Sequence, residues 1–485
     1  MSTSENGDAA ALWLRVLLVL VIWAAIYLPG LGTLEIKGEE GRRILPAVTM
    51  LQTGNYVVPQ VGSDPYFSKP PLVNWLVAGS FKLFGVRNEW AARLPSTLCV
   101  LAVALAFATV ARRSLGANGS LVGALIWMTN FGIIEKGRLI EIEALYASLC
   151  GLSIVCWLSW WQERRSRWLT WIGPWVFLGL GLLAKGPVLL VFFYAVVIAV
   201  LYRARELRML WNPAHVVGLL LMLGIFGAWA IPCLEMMREY NVTHAWSRQF
   251  SGRLFGEDFQ LSGWLTNIPR GLGYFLPWAV LLLFVNRATF AEDRRRAVAR
   301  GLVWGIALSF VGVSLLPGAL PRYTMPLLAP ASWLMAMMLT GERLVLPPWL
   351  RLKQPNAVAP VLRLPVVVAA IVCVAIWIYA FAAMPFLTKR EKVRNIAAQI
   401  NTALPANEPL FAVDPDYQPF LFYVRGPVVY VNRVDSVPLA AKYLLVQRRD
   451  EQAALSAGRW QSEPLLRVKD YRGKQVSLLH SGANP

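Results

Sequence analysis

The chain is poor in charged residues, and acidic ones are the scarcest. Only 15% of its 485 residues are charged, whereas an ordinary soluble protein has roughly 25%. Hydrophobic residues make up 56% of the chain, and its mean hydropathy is +0.49. Many apolar stretches approach the roughly 20 residues that cross a bilayer as a helix. The composition therefore excludes an ordinary soluble protein and predicts a polytopic α-helical membrane protein.

Cysteine and histidine are also scarce. The five cysteines all lie within apolar stretches, which indicates buried thiols rather than a disulfide framework. The three histidines have no spacing typical of a metal centre. A site built from Cys and His ligands is therefore not expected.

Eleven apolar stretches predict about eleven membrane spans. The first ten residues include no Lys or Arg, so stretch 11–29 is predicted to be a retained first span rather than a cleaved signal. The predicted spans are 11–29, 94–111, 119–134, 144–161, 169–184, 187–202, 214–234, 272–286, 301–316, 324–340 and 362–384.

Positive charge is in excess, with 47 Lys and Arg against 28 Asp and Glu and a net charge of +19. If the N-terminus is cytoplasmic, the most basic loops all fall on the cytoplasmic side, as the positive-inside rule expects. These loops are 112–113, 163–167, 203–208, 294–296 and 343–353. The same scheme places the other connections outside the cytoplasm, namely 31–92, 135–143, 185–187, 235–271, 317–322 and the residues after 385.

The distribution of the basic residues also limits the partners. They are scattered around the predicted spans rather than gathered on one domain, so nucleic acid is excluded as a partner. Short basic loops beside membrane spans attract the anionic headgroups of membrane lipids instead.

The composition changes after the last predicted span. Residues 385–485 are about as polar as a soluble domain, and short strand patterns alternate there with helical ones. We therefore predict a transmembrane domain over 1–384 and a small extracytoplasmic α/β domain over 385–485. Its predicted strands are 408–413, 420–424, 427–431, 443–447 and 474–479, and its predicted helices are 391–402 and 450–457.

The first extracytoplasmic loop, 31–92, holds an unusual concentration of ionisable groups close to a predicted span. This indicates a polar site at the bilayer surface rather than a simple connection. Residues 42–51 and 71–84 have helical composition, and the second segment is predicted to lie along the membrane interface. The ionisable groups are Glu39, Glu40, Arg42, Arg43 and Lys69.

Several motifs of this loop follow one another in a fixed order. They read Glu39-Glu40-Gly41-Arg42, Met50-Leu51, Gly54-Asn55-Tyr56, Val58-Pro59, Pro65-Tyr66-Phe67, Lys69-Pro70-Pro71 and Glu89-Trp90-Ala91-Ala92-Arg93-Leu94-Pro95-Ser96. Together they resemble glycosyltransferase family 39, the protein O-mannosyltransferase group. Within it they are most similar to the bacterial branch that includes the lipid A aminoarabinose transferases.

The resemblance implies a GT-C fold, in which membrane helices hold an active site on the extracytoplasmic face. It implies an inverting glycosyltransferase of the bacterial inner membrane with a polyprenyl-phosphate sugar donor. The expected acceptor is a lipid such as lipid A or another glycolipid, or a glycan. A protein O-mannosyltransferase is the alternative within the enzymes, and a lipid or polysaccharide transporter is the alternative outside them. A transporter predicts charged residues at mid-span depth, whereas here they gather at span ends, which favours an enzyme.

Two acidic residues occupy the positions of the family's conserved aspartates. The resemblance implies that Glu39 is the general base that removes the acceptor's proton. It implies that Glu143, five residues after Arg138, is a second catalytic acid that holds the base or binds a divalent metal ion such as Mg, Ca or Mn. An ion pair between Glu143 and Arg138 is the alternative. Both positions carry Glu instead of Asp, which lengthens each side chain by one C–C bond, about 1.5 Å.

Other motif residues are implied to bind the substrate. Lys69 would act as a point charge on the donor phosphate, and Arg253 would make a forked contact with it. Lys185 is predicted to be structural or to face headgroups. Ser68 stands where the family has Glu, so the resemblance does not imply an aminoarabinose donor. Gln249 stands where the family has His, so an imidazole metal ligand is missing. The full substrate-binding set is Glu40, Arg42, Tyr66, Lys69, Arg138, Arg248, Arg253, Arg322 and Tyr323.

Overall fold

The computed structural model describes most of the chain. The described residues are 2–61, 64–66, 69–239, 247, 259–290, 292–341, 343–344, 360–415, 418–470 and 472–482.

The chain divides into two compact units that do not follow the predicted boundary at residue 384. The first consists of Met1–Pro29, Ser68–Leu72 and Ser96–Tyr379. The second consists of Gly30–Phe67, Val73–Pro95 and Ala380–Pro485. Most of the first predicted loop therefore groups with the C-terminal residues and not with the membrane helices.

Among the described residues, six helices are long and apolar enough to cross a membrane. A seventh is counted if Arg112–Thr129 and Phe131–Gly137, which are bent by 58°, form one broken span. The six helices are Glu89–Thr109, Ile142–Gln162, Arg167–Ala184, Pro213–Met236, Asp293–Ser314 and Leu362–Thr388.

These six or seven helices are fewer than the eleven predicted spans. Two further predicted spans correspond to the shorter apolar helices Ala11–Tyr27 and Val188–Ala204. Predicted span 324–340 consists of shorter pieces, the 3₁₀ helix Pro321–Leu327 and the α-helix Leu328–Leu339. The other elements of the first unit are Ser2–Tyr27, Leu207–Trp211, Leu261–Leu265, Asn267–Gly273, Ala279–Leu282, Val285–Arg287, Pro360–Ile378 and the antiparallel pair Ala288–Thr289 with Arg343–Leu344.

The predicted span 272–286 is wrong as a single helix. The structure has only short pieces there, Ala279–Leu282 and Val285–Arg287. Gly273 weakens a continuous helix, and Pro277 lacks the backbone N–H that the helical hydrogen-bond ladder needs.

Two glycines let two helices of the first unit approach at backbone distance. A Cβ added to Gly301 would lie 2.5 Å from the Cα of Val200, and one added to Gly305 would lie 2.7 Å from the Cα of Val196. Their spacing of four residues places both on one face of helix Asp293–Ser314. This is the small-residue pattern typical of closely packed membrane helices.

In the second unit, helices Gly41–Thr53 and Leu72–Phe84 confirm the two helical patterns predicted for the first loop. Gly54 follows the first helix with a φ of 73°, a left-handed conformation that glycine adopts without steric cost. Strands Gln60–Val61 and Asp64–Pro65 form a short antiparallel pair between the two helices.

The C-terminal residues form a five-stranded mixed sheet. Its order is Val428–Val431, Leu410–Val413, Tyr443–Gln447, Gln475–His480 and Leu466–Lys469. The first three strands are parallel, and the last two pair antiparallel. The accompanying helices are Met384–Thr388, Val393–Ala403 and Arg448–Ser456, with 3₁₀ helices Pro419–Tyr423 and Val434–Ser436 and a π-helix at Tyr379–Ala383.

The predicted strands of this sheet differ from the observed ones at two places. The segment predicted as strand 420–424 is the 3₁₀ helix Pro419–Tyr423, which starts at a proline whose fixed φ suits a helical first turn. Strand Leu466–Lys469 was not predicted, because half of its four residues are charged and the apolar pattern is short.

Candidate functional site

Three charged side chains from distant parts of the sequence meet in the first unit. Glu143 lies in the first turn of helix Ile142–Gln162, Lys185 follows the next helix, and Arg322 lies in a 3₁₀ helix. The Lys185 Nζ is 3.3 Å and the Arg322 Nε is 3.0 Å from the Oε1 of Glu143. The Glu143 side chain is only 11% exposed. One nearly buried carboxylate oxygen thus faces two cations, and we call these three residues the Glu143 cluster.

Aromatic rings hold Lys185 of this cluster. Its Nζ lies 4.4 Å from the ring centroid of Tyr323 and 5.6 Å from that of Tyr146. The Tyr146 hydroxyl donates to the Gly186 carbonyl at 2.9 Å and accepts the Leu189 N–H at 2.5 Å. The turn that follows Lys185 is therefore fixed, and the ammonium group is held between ring faces that attract cations.

A second set of ionisable groups precedes Glu143 in the sequence. The Lys136 Nζ lies 3.0 Å from Glu135 and 3.2 Å from Glu141. Burial raises the pKa of the Glu141 carboxyl, and the charge of Lys136 counteracts this. Glu141 therefore takes up a proton more readily than an exposed Glu.

Arg138 binds backbone in the structure. Its guanidinium donates hydrogen bonds to the carbonyls of Ile26 and Pro29, at the end of helix Ser2–Tyr27. Carbonyls at a helix C-terminus lack partners within the helix, so this contact stabilises the helix end. Glu143 itself forms ion pairs with Lys185 and Arg322.

Glu39, the predicted base, lies in the 3₁₀ helix Gly38–Glu40 of the second unit. Its carboxylate is 3.6 Å from the guanidinium of Arg42, and the two side chains are 40% and 35% exposed. An exposed ion pair of this length is weak, so it leaves the carboxylate accessible.

Glu40, the next residue, is in the opposite situation. Its carboxylate accepts hydrogen bonds from the Nε and one terminal nitrogen of Arg93, both at 2.8 Å, and both side chains are almost fully buried. Arg93 also donates to the carbonyls of Leu31, Leu34 and Glu35. Two sequence motifs thus meet in one buried forked ion pair, which favours a structural role for Glu40 over the predicted substrate contact.

Four further residues predicted to bind the substrate are Tyr66, Lys69, Arg248 and Arg253. The buried Tyr66 hydroxyl accepts a hydrogen bond from Arg43 at 2.8 Å. Lys69 is half-buried. Arg248 and Arg253 lie outside the described residues.

The surroundings of Glu143 offer few ligands for the predicted divalent metal ion. Among the described residues, no group of three or more His, Cys, Asp and Glu side chains is arranged to hold a metal. The Oε1 of Glu143 is already opposed by two cations, which a metal ion would have to displace. The residues as they stand do not fit a metal, and metal dependence stays a prediction.

The structure gives two residues contacts that the sequence did not predict. Lys185, predicted to be structural or to face headgroups, pairs with Glu143, and its position in Lys185-Gly186-Pro187 at the end of a span was a usable signal. Arg93 was read only as part of a motif, and nothing in the sequence pairs it with Glu40 in particular.

Known proteins resemble this chain both in sequence and in fold. Residues 68–231 match a family model described as dolichyl-phosphate-mannose-protein mannosyltransferase. The chain superposes with a TM-score of 0.72 on a crystal structure of ArnT from Cupriavidus metallidurans bound to undecaprenyl phosphate. The superposition covers 100% of both chains, which are 20% identical in sequence. The chain has the GT-C fold of ArnT. It is accordingly a multi-pass membrane protein, and the resemblance drawn from its sequence motifs is confirmed.

Curated relatives point to the same group as ArnT. An undecaprenyl phosphate-alpha-4-amino-4-deoxy-L-arabinose arabinosyl transferase from Pseudomonas paraeruginosa is 30% identical over 333 residues. A transferase of the same description from Pseudomonas fluorescens is 27% identical over 328 residues. Each alignment covers 66% of this chain, and 57% and 58% of the relatives respectively. The chain thus spans less than two thirds of the length of these relatives.

Proposed function

We propose that the chain is an integral-membrane glycosyltransferase that moves a sugar from a polyprenyl-phosphate donor to an acceptor, with inversion at the anomeric carbon. The acceptor is a lipid such as lipid A or another glycolipid. The enzyme acts in the bacterial inner membrane with its active site on the extracytoplasmic face. The observation that carries the proposal is the Glu143 cluster, in which Lys185 and Arg322 converge on one carboxylate in a chain with the ArnT fold. The donor class is taken from the relatives, which are undecaprenyl phosphate-dependent aminoarabinose transferases.

The Glu143 cluster is assigned to the donor phosphate. Two cations held within 3.3 Å of one carboxylate are fixed before the substrate arrives, so little reorganisation accompanies binding. Arg322 is about one third exposed and offers a planar fork that suits phosphate oxygens. Tyr323, whose ring lies beside Lys185, is assigned a hydrogen bond to the same phosphate. The phosphate leaves with the electron pair of its bond to the sugar, and the cations stabilise the charge that it then carries.

Glu39 is assigned as the general base. Its carboxylate is accessible and only weakly paired, whereas the neighbouring Glu40 is engaged by Arg93 on both oxygens. The acceptor hydroxyl transfers its proton to Glu39 as its oxygen attacks the anomeric carbon from the face opposite the phosphate. One C–O bond forms and another breaks, which inverts the carbon.

The test uses the purified full-length protein in lipid nanodiscs. It is incubated with a panel of polyprenyl-phosphate sugars and with membrane lipid extract or acceptor peptides, and products are identified by mass spectrometry. Sugar mass added to a lipid supports the proposal. Transfer to peptides alone supports the protein O-mannosyltransferase alternative, and no transfer with any donor contradicts the enzyme assignment.

Glu39→Gln tests the base directly. Turnover is expected to fall by about 10²- to 10⁴-fold, the usual contribution of a general base. Glu408→Gln is the matched control, because Glu408 is also a partly exposed carboxylate in an ion pair, 2.8 Å from Lys442. Full turnover by Glu39→Gln would rule out the assignment.

A further inference from the structure

The backbone just before Glu39 is held by residues near the end of the chain, within the second unit. The Glu35 N–H donates to the carboxylate of Glu391 at 3.0 Å. The Ile36 N–H donates to the hydroxyl oxygen of Tyr423 at 2.7 Å. Two consecutive backbone groups of this segment thus have side-chain partners more than 350 residues away.

The contact is reciprocal. The buried carboxylate of Glu35 accepts the N–H groups of Lys392, Val393 and Arg394 at 3.3, 2.8 and 3.0 Å. These are the first N–H groups of helix Val393–Ala403, which have no partners within the helix. A carboxylate at a helix N-terminus is also favoured by the helix dipole. Glu35 therefore caps a helix of the C-terminal part, and that helix in turn fixes Glu35.

Tyr423 ties a third segment to this contact. Its hydroxyl donates to Glu89 at 2.7 Å, and Arg394 forms an ion pair with the same carboxylate. Burial raises the pKa of the Tyr423 hydroxyl, so the group keeps its proton and can donate while its oxygen accepts from Ile36.

We propose that the C-terminal domain positions the general base, with Tyr423 and Glu35 as the positioning residues. The inference rests on the proposed function, because it concerns the segment that carries Glu39. The side chain of Glu39 is half-exposed and only weakly paired. Its placement therefore depends on its backbone, which Tyr423 holds on one side and the Glu40–Arg93 ion pair holds on the other. Displacing a reacting group by about 1 Å can cost 10²-fold in rate.

The test compares Tyr423→Phe with Tyr443→Phe, a matched change in a central strand of the same domain. Tyr423→Phe removes the acceptor of Ile36 and the donor to Glu89. Hydrogen–deuterium exchange of the full-length protein in nanodiscs is expected to accelerate about five- to tenfold in peptides covering residues 34–40, as for the loss of one net hydrogen bond. Tyr443→Phe is expected to leave exchange in these peptides unchanged. Unchanged exchange in Tyr423→Phe would overturn the proposal.

Kinetics supply the second readout. In Tyr423→Phe, kcat is expected to fall about tenfold or more while the donor KM stays within about twofold, since the phosphate-binding residues are not touched. A loosened segment with parental kcat would overturn the positioning role. If Tyr423→Phe does not accumulate, Glu35→Gln weakens the same contact, because a single amide oxygen replaces a carboxylate that accepts three N–H groups. The exchange result is independent of turnover, so failure of the base assignment in Glu39→Gln remains distinguishable from failure of the positioning role.

Discussion

The guanidinium of Arg93 is expected to be essential for the stability of the second unit. Arg93→Met keeps the length and apolar stem of the side chain but removes every polar contact. It leaves the buried Glu40 carboxylate without its cation and deprives the carbonyls of Leu31, Leu34 and Glu35 of a donor. Arg93 is 3% exposed, so water cannot replace these contacts without opening the structure.

The expected loss of unfolding free energy in Arg93→Met follows from the contacts that the variant loses. Removing one partner of a buried ion pair costs about 3–5 kcal/mol. Each carbonyl that loses its donor adds about 1 kcal/mol. The sum is comparable to the whole free energy of unfolding of an ordinary domain, about 5–15 kcal/mol. We therefore expect Arg93→Met to unfold at a much lower temperature than the parent, or to fail to accumulate.

The assay is thermal unfolding in detergent, followed by tryptophan fluorescence and by the monodisperse peak in gel filtration. Arg42→Met is the control, because its exposed pair with Glu39 is worth less than about 1 kcal/mol. The double variant Glu40→Gln, Arg93→Met removes the stranded charge and is expected to recover part of the stability or yield. An Arg93→Met protein as stable as the parent, or a double variant worse than the sum of its single changes, would refute the reasoning.

Three further outcomes are expected. Gly305→Ala should cost about 1–3 kcal/mol by overpacking, since its Cβ meets the backbone of Val196, whereas Gly312→Ala in the same helix meets no described atom within 4 Å and should be neutral in thermal unfolding. Lys185→Met should raise the donor KM about tenfold or more in a donor titration, because it removes a charged contact to phosphate; an unchanged KM would show that Lys185 does not bind the donor. EDTA is expected to leave turnover unchanged, because the Oε1 of Glu143 already faces Lys185 and Arg322; loss of turnover on chelation that added Mg²⁺ restores would instead support the divalent ion that the resemblance implies.

The distribution of charge along the sequence predicted which connections share one end of the membrane helices. Segments 135–143, 185–187 and 317–322 were placed on one side, and the structure joins them through the Glu143 cluster. Loops 203–208 and 294–296 were placed on the other side, and there Arg294 lies 3.2 Å from Glu206. The positive-inside bias reports on each loop separately, so it survives errors in single span boundaries.

The pairing of particular side chains could not be predicted in the same way. Glu40 and Arg93 belong to separate motifs, and their forked contact depends on how two segments pack in three dimensions. Nothing in the sequence indicated that Arg138 donates to the carbonyls of Ile26 and Pro29 at the end of the first helix, because that contact too depends on how distant segments pack. Hydropathy likewise counted 272–286 as a span, since an average over apolar residues does not register where Gly273 and Pro277 interrupt the backbone.

The distance along the chain between Ile36 and Tyr423 has a consequence during synthesis. The two residues are 387 positions apart, so the segment around Glu39 leaves the ribosome long before Tyr423, which binds it, has been synthesised. At ordinary translation speeds of about 5–20 residues per second, the delay is roughly 20–80 s. A nascent chain already inserted in the membrane therefore carries a Glu39 segment without these contacts, and the segment reaches its final position only after the last fifth of the polypeptide has folded.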